Sequence, residues 1–409
     1  MNIYLVNRYF WPDESATSLL LTDLAEDLIA GGHEVQVFTS RQLYNQPGAK
    51  LPKYQGWQGI QIHRLATTPF GRRSLAGRLL EIIFFHVALR FGQKFSPKPD
   101  VWFVMTDPPL ILNTVAKLRR KLGGRLVHQV ADLYPDVAVA LGSLPQTGVL
   151  IDLLRRRSVQ GLLECDEVLS LGDCMAKVLI GKGIHQEKIS VLPPWADGTK
   201  LRPLEPEENG FRQELGLSRE DFVVMYSGNM GVGHPFESIL EAARRLRKDR
   251  KIILVFIGDG AKKSQIEAFR QHYALERFML LPYQPKERLR EMLAAGDVHL
   301  ISLDARVQGL IVPSKLAGIL AVGRPVIFVG DANNSVAAAI LKGSCGFVVP
   351  EGAPERLQEM ISALASDPEL RRKMGKKARR LFEREYNRSI VVPQISAKLG
   401  NNPLSLMSG

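Results

Sequence analysis

Cysteine is scarce in this sequence: Cys165, Cys174 and Cys345 are the only three in 409 residues. Three cannot build a disulfide framework, and Cys165 and Cys174 have no CxxC or HxxxH companions, so structural zinc is not indicated either. That usage points to a reducing, cytosolic compartment. Long apolar runs are missing as well. No stretch of 18 or more apolar residues occurs, and Met1–Phe10 carries no charged lead into a hydrophobic segment. The sequence therefore predicts neither a membrane span nor a secretory leader. It also lacks D-x-D for a metal-bound nucleotide, G-x-x-x-x-G-K-[ST], G-x-S-x-G and H-E-x-x-H, so no metal-dependent chemistry is signalled.

What is present is ordinary for a folded chain, with 45% hydrophobic and 23% charged residues. Wholesale disorder is excluded, and at roughly 100–200 residues per domain the length fits two or three domains. The net charge of +12 points to an anionic partner. That charge is localised. Between Lys50 and Ala131 there are 14 Lys and Arg against the three acids Glu81, Asp100 and Asp107, an excess of 11.

Hydrophobic patterning gives two similar halves. Asn2–Val6 is a strand, Leu19, Leu20, Leu24, Leu28 and Ile29 recur at helical spacing, Gly31-Gly32 ends that helix, and Glu34–Phe38 is a second strand. Such a β–α–β unit takes parallel strands and a right-handed crossover. Val101–Met105, Arg125–Val130, Glu167–Ser170 and Ser190–Leu192 continue as strands, with a helix at Leu110–Leu122. The polar, proline-containing Leu201–Gly210 separates the halves. Strands at Phe222–Tyr226, Lys251–Ile257, Val298–Ser302, Pro325–Val329 and Gly346–Val349 follow, with helices at Pro235–Leu246, Ala353–Ala365 and Pro368–Tyr386. Leu404–Gly409 is expected to fray. The pattern predicts an α/β fold of two doubly wound, Rossmann-like domains: residues 1–197, residues 198–385, and a tail over 386–409 that packs back on the first.

In open α/β sheets ligands bind beyond the carboxyl ends of strands, so those positions hold the candidate site residues. Ser227-Gly228-Asn229-Met230-Gly231-Val232-Gly233-His234 follows a strand and precedes a helix. Its glycines either let backbone amides approach a phosphate or simply permit a tight turn. The spacing G-x-x-G-x-G is not the dinucleotide fingerprint. Gly258-Asp259-Gly260 ends the next strand, where Asp259 either touches a ribose or makes a plain turn. Further on, Pro313-Ser314 opens a helix with Lys315 in its first turn. A cation there opposes the helix dipole, which local stability disfavours and a bound diphosphate would reverse; Arg306 lies just upstream. In the first half, Asp132 follows a strand, and either faces a ligand or caps a turn, as do Asp13 and Glu14.

Gly71–Lys94 is strongly apolar at its centre, with Arg72, Arg73, Arg78, Arg90 and Lys94 flanking. A basic amphipathic helix of this kind lies in a membrane interface or packs as a buried helix with solvated ends. Aromatic residues do not interleave with basic ones on strands, so nucleic acid is not expected as a partner.

The segments Tyr9-Phe10-Trp11-Pro12-Asp13-Glu14, Gly31-Gly32-His33-Glu34-Val35, Asp132-Leu133-Tyr134-Pro135-Asp136, Tyr226–Gly231 and Val312-Pro313-Ser314-Lys315-Leu316, the last running on to Gly323-Arg324-Pro325-Val326-Ile327, occur in an order that resembles a known family. The chain resembles family 4 of the retaining glycosyltransferases, in particular the branch that builds bacterial capsular, exopolysaccharide and O-antigen repeats. The resemblance covers nearly the whole chain. It implies the GT-B architecture, two Rossmann-like domains facing a cleft, and metal-independent sugar transfer from a UDP- or GDP-linked donor with retained configuration. It implies no cofactor beyond that donor substrate, a lipid-linked saccharide acceptor, and a cytoplasmic enzyme held peripherally on the inner face of the cell membrane. It places Ser227, Gly228, Asn229, Gly231, Gly258, Asp259, Ser314 and Lys315 around the donor. Asp132, Lys315 and Arg306 become the catalytic set. The sequence departs from the family at two glutamates eight residues apart, whose positions hold Leu310 and Gly318, and at the basic residue after the glycine loop, where His234 is nearest. Two other readings fit the same architecture: a nucleotide-sugar epimerase or hydrolase, and a non-catalytic binding subunit.

Overall fold

The computed structural model describes residues 1–44, 50–66 and 75–400. Arg72, Arg73 and the expected frayed end at Leu404–Gly409 lie outside the described residues, as does the side chain of Arg78. The chain forms two compact units, Met1–Pro193 joined by the segment from Val392 onward, and Pro194–Val391.

The first unit runs β1 (Asn2–Val6), α1 (Ala16–Ala30), β2 (Glu34–Ser40), β3 (Tyr54–Trp57), β4 (Ile60–Leu65), α2 (Leu75–Phe91) and β5 (Val101–Met105). It continues with α3 (Ile111–Leu122), β6 (Arg125–Val130), α4 (Asp136–Ala140), α5 (Val149–Leu163), β7 (Glu167–Ser170), α6 (Asp173–Gly181) and β8 (Ile189–Val191). Its eight strands lie in the order β3-β4-β2-β1-β5-β6-β7-β8. Every neighbouring pair is parallel except the β3–β4 hairpin, and Ile3 stands opposite both Val35 and Val101. The central strands are apolar on both faces: β5 (VWFVM) is wholly buried. That is what helices on both sides of a parallel sheet require.

The second unit contains α7 (Gly210–Glu214), β9 (Phe222–Ser227), α8 (Glu237–Leu246), β10 (Ile252–Ile257), α9 (Lys263–His272), β11 (Phe278–Leu281) and α10 (Leu289–Ala295). There follow β12 (Val298–Ser302), α11 (Lys315–Ala321), β13 (Val326–Val329), α12 (Ser335–Gly343), β14 (Gly346–Val349), α13 (Pro354–Ser366), α14 (Pro368–Leu381) and α15 (Arg388–Leu399), whose last eight residues belong to the first unit. The sheet order is β11-β10-β9-β12-β13-β14, parallel throughout. The expected helix over Pro368–Tyr386 is α-helical only to Leu381, after which Phe382–Tyr386 forms a π turn.

Each sheet reverses its winding once, between β1 and β5 in the first unit and between β9 and β12 in the second. Crevices outside the carboxyl ends of strands form at such points. The loops after β1, β5 and β6, and those after β9, β10 and β12, are therefore the ones that can hold ligands. Under the second of these edges the core is aromatic. Tyr226 packs on Phe236 and Phe256 with ring centroids 4.9 and 5.4 Å away, and Phe256 meets Phe278 at 4.6 Å. Pairs of this kind contribute about 0.5–1.5 kcal/mol each beyond area burial, which fixes the Tyr226 ring as a rigid floor.

Candidate active site

The second unit builds its site on that floor. Lys315, at the start of α11, lies across Gly228, where a β-carbon would come 2.8 Å from the lysine Cε. Its Nζ sits 3.6 Å from the Tyr226 ring centroid, on the ring face. The tyrosine hydroxyl donates to Asn229 O at 2.8 Å, so the ring cannot turn away. Buried, Lys315 Nζ has no hydrogen-bond partner. Burial drives its pKa well below that of an ordinary lysine, because only a ring quadrupole offsets the lost hydration. An unpartnered ammonium at a ligand-binding edge is a site that an anion would complete.

The glycines around it serve two purposes. Gly228 N donates to Ile257 O and Met230 N to Asp259 O, each at 2.8 Å, so these two amides tie the loop to the end of β10. Close backbone approach explains Gly258 and Gly260. A β-carbon on Gly258, at φ 140°, would stand 2.1 Å from Gly228 O, and one on Gly260 would stand 2.5 Å from Met230 C. Among the described residues the amides of Asn229, Gly231 and Val232 make no backbone hydrogen bond. Replacing Gly258 with Ala is expected to strain this contact by about 1–3 kcal/mol. Thermal unfolding checks it, at roughly 2–4 °C of Tm per kcal/mol for a unit of this size.

The remaining second-unit candidates are placed as follows. Ser314 is exposed and makes no capping hydrogen bond. Asp259 is exposed and accepts from Gly260 N at 2.8 Å, making a turn. Arg306 is engaged by Asp304, Nε to Oδ1 at 3.0 Å and Nη2 to Oδ2 at 2.6 Å, with its own side chain 64% exposed. The fork is thus occupied beside the site, and Glu351 also lies in its field. Gly318 packs against Leu293, whose Cδ1 would be 3.1 Å from a β-carbon, so a larger side chain at this position would crowd Leu293. His234 cannot stand in for the basic residue the family places after its glycine loop. Its Nδ1 faces Ser302 O at 2.6 Å, so that nitrogen carries the proton. Burial, then Lys315 and Lys262, push its pKa down to about 3. The ring is neutral between two lysines. Lys262, missed in the sequence, is tied to the glycine loop by its amide on Met230 O at 2.9 Å and holds Glu237 at 3.2 Å.

The first unit gathers charge where β1, β5 and β6 end. Buried Arg8 is ion-paired with buried Glu81 of α2, and its Nη1 lies 3.9 Å from Asp107. Asp107 in turn acts on Asp132. Burial, then repulsion from Asp107, lift the Asp132 carboxyl to about 6. Thr106 Oγ1 accepts from the Ala131 amide at 2.8 Å and fixes the loop. A small cavity beside Asp132 is lined by Thr106, Asn113, His128, Tyr134 and Ser158 among others. His128 donates from Nδ1 to Val104 O at 2.7 Å and, buried, is pushed down to about 4, so it too is neutral. Among the described residues no three His, Cys, Asp or Glu gather to hold a metal ion.

Two doubly wound sheets, one with an unpartnered lysine of α11 lying across a glycine loop, define a protein of the two-Rossmann class. Residues 207–381 match the model of glycosyl transferases group 1, and residues 19–195 match that of a glycosyl transferase 4-like domain. A relative named for colanic acid biosynthesis, the glycosyl transferase WcaI of Escherichia coli, is 28% identical over 344 residues, which is 81% of this chain and 84% of the relative. Among solved structures, sucrose-phosphate synthase from Thermosynechococcus elongatus superposes with TM-score 0.78 at 16% identity, covering 97% of this chain and 98% of that one. HepE of Anabaena, in complex with UDP and glucose, gives 0.73 at 14%, covering 98% and 100%. The chain is an enzyme, a glycosyltransferase of the GT-B kind.

Proposed function

We propose that the chain is a retaining, metal-independent glycosyltransferase. It moves a sugar from a UDP- or GDP-linked donor to a lipid-linked saccharide in the synthesis of cell-surface polysaccharide, at the inner face of the cell membrane. The observation that carries this reading is Lys315. Its buried ammonium has no hydrogen-bond partner and lies over Gly228 beside loop amides that no backbone group occupies. Transfer breaks the bond from the anomeric carbon to the diphosphate, and the electron pair leaves with the diphosphate oxygen. Preorganised positive groups are most effective where such charge develops. Lys315 supplies the charge, the amides of Asn229 and Gly231 supply dipoles, and the aromatic floor keeps water from the ammonium. Asp132, in the first unit, faces the acceptor sugar. The WcaI name supports the polysaccharide setting, and the UDP seen with HepE supports a nucleotide donor.

Thermal unfolding with a panel of uridine and guanosine diphosphate sugars tests the donor. One of them, at a hundred times its Kd, is expected to stabilise the chain by about 2.7 kcal/mol. A flat panel would move the reading to the non-catalytic alternative. Rapid consumption of donor without acceptor would favour an epimerase or hydrolase.

A further inference from the structure

We infer that His234 is a specificity residue of the donor site. Its Nε2 accepts a hydrogen bond from a hydroxyl or amide N–H of the sugar beside the diphosphate, so the site favours the intact nucleotide sugar over the free nucleoside diphosphate. The inference deepens the function proposed above and rests on its nucleotide-sugar donor.

The ring is held from several sides. The His234 amide donates to Gly231 O at 3.1 Å, and Asp304 N donates to Gly233 O at 3.0 Å, which ties the glycine loop to the loop after β12. Nδ1 faces Ser302 O at 2.6 Å. A carbonyl oxygen only accepts, so Nδ1 carries the proton and Nε2 presents a lone pair. Among the described residues Nε2 has no hydrogen-bond partner. Lys315 Nζ is sealed from solvent, whereas His234 is half-buried and its Nε2 is not sealed.

The surroundings keep the ring an acceptor. Lys315 Nζ lies 3.6 Å from the Tyr226 ring centroid, and the His234 ring meets the same tyrosine with centroids 6.3 Å apart and planes at 74°. Both side chains thus stand on one floor, at the edge where the sheet reverses its winding. Lys315 and Lys262 act on the imidazole, and a third positive charge beside them is unfavourable. The carboxylates of this edge are engaged with other cations, Glu237 with Lys262 at 3.2 Å and Asp304 with Arg306 at 2.6 Å. The site therefore offers a cation for the diphosphate and, next to it, a neutral acceptor.

That pairing separates two ligands that a second cation would bind alike. In a nucleotide sugar the distal phosphate is esterified at the anomeric carbon. The hydroxyl or acetamido N–H on the adjoining carbon is then a donor close to the diphosphate. In the free nucleoside diphosphate an ionised phosphate oxygen ends the chain and has only lone pairs to offer. An acceptor aimed at an acceptor leaves both unsatisfied. One good contact and one poor one together make the preference, and His234 so favours substrate over product.

The test is calorimetric titration of the full chain with UDP, GDP, UDP-glucose, UDP-galactose, UDP-N-acetylglucosamine and GDP-mannose. The nucleotide sugar that binds tightest is compared with its own nucleoside diphosphate. In H234N the amide still reaches Ser302 O but ends short of the Nε2 position. Its preference for the nucleotide sugar is expected to fall about three- to tenfold, the scale of one hydrogen bond. In H234Q an amide oxygen takes the Nε2 position, and the preference is expected to return although the Ser302 contact is lost and the unfolding temperature falls. A histidine that only braces the loop predicts the reverse order, with H234N intact and H234Q impaired, and that result would overturn the inference. So would an unchanged preference in H234N, no recovery in H234Q, or proton uptake on UDP binding that H234N abolishes, since the ring would then serve as a cation. Binding of UDP or GDP without any nucleotide sugar would also overturn it. No binding of any of the six would instead remove the donor reading itself, and the inference with it.

Discussion

Replacing Lys315 with methionine is expected to slow sugar transfer by about 10²–10³-fold, or ~2.7–4 kcal/mol, the effect of removing one preorganised donor from developing charge. The same variant is expected to be at least as stable as the unsubstituted chain without ligand. A buried amine resting on the Tyr226 ring without a hydrogen-bond partner costs the folded state its hydration, whereas the thioether loses nothing there. The sign follows from the direction of the pKa. Burial lowers it in the folded chain, so the unfolded chain holds the proton more tightly, and the lysine's penalty is largest at low pH. That penalty fades as pH rises from the lowered folded value towards the ordinary value near 10.5. Stability without ligand therefore gains less on raising the pH in K315M. Turnover and pH-dependent unfolding of the two proteins check both halves, and undiminished transfer by K315M would remove Lys315 from the reaction.

The second large effect is expected at Asp132. Its carboxyl is lifted to about 6, first by burial and then by Asp107, against 3.8 for an ordinary aspartate. A raised acid pKa means the folded state binds the proton more tightly, so stability falls as pH rises from about 4 to about 6 and stays reduced above that. Two units amount to about 3 kcal/mol at most. Asp132→Asn is expected to recover much of this at pH 7, and to lower transfer because the amide offers an acceptor hydroxyl one accepting oxygen where the carboxylate offers two. D107N, which removes only the like charge, is expected to recover a smaller part. Denaturant unfolding at pH 5 and pH 7.5 reads the effect. Equal pH slopes for D132N and the unsubstituted chain would show that Asp132 ionises normally.

The alternation of strands and helices was legible because parallel strands buried on both faces must be apolar throughout. Asn2–Val6, Val101–Met105 and Val298–Ser302 match the structure's strands at both ends. The β3–β4 hairpin was not, since Tyr54 and Gln61 are exposed and the strands are half-solvated, which leaves no apolar run. The opening of α5 escaped for the opposite reason. Its exposed apolar residues break the rule that links hydrophobicity to the core. The loop after β9 was visible through its glycines, yet their main task, letting the chain ends of β9 and β10 touch, depends on Gly258, thirty residues away. Neither the ring beneath Lys315 nor the field of Asp107 on Asp132 leaves a local pattern, because each joins residues that only the sheet order makes neighbours. Lys262 hid for the same reason.

The closing helix gives a practical consequence. Residues from Val392 onward return to the first unit, where Arg125 Nε reaches Lys398 O at 3.1 Å and Lys398 Nζ approaches Glu167 at 3.6 Å. The polypeptide thus crosses between the lobes twice, and no single proteolytic nick frees either one. A fragment ending near residue 193 would leave a hydrophobic seat for Ile395 and Leu399 uncapped, so an autonomous amino-terminal lobe calls for the final helix supplied as a separate peptide or spliced on through a short tether.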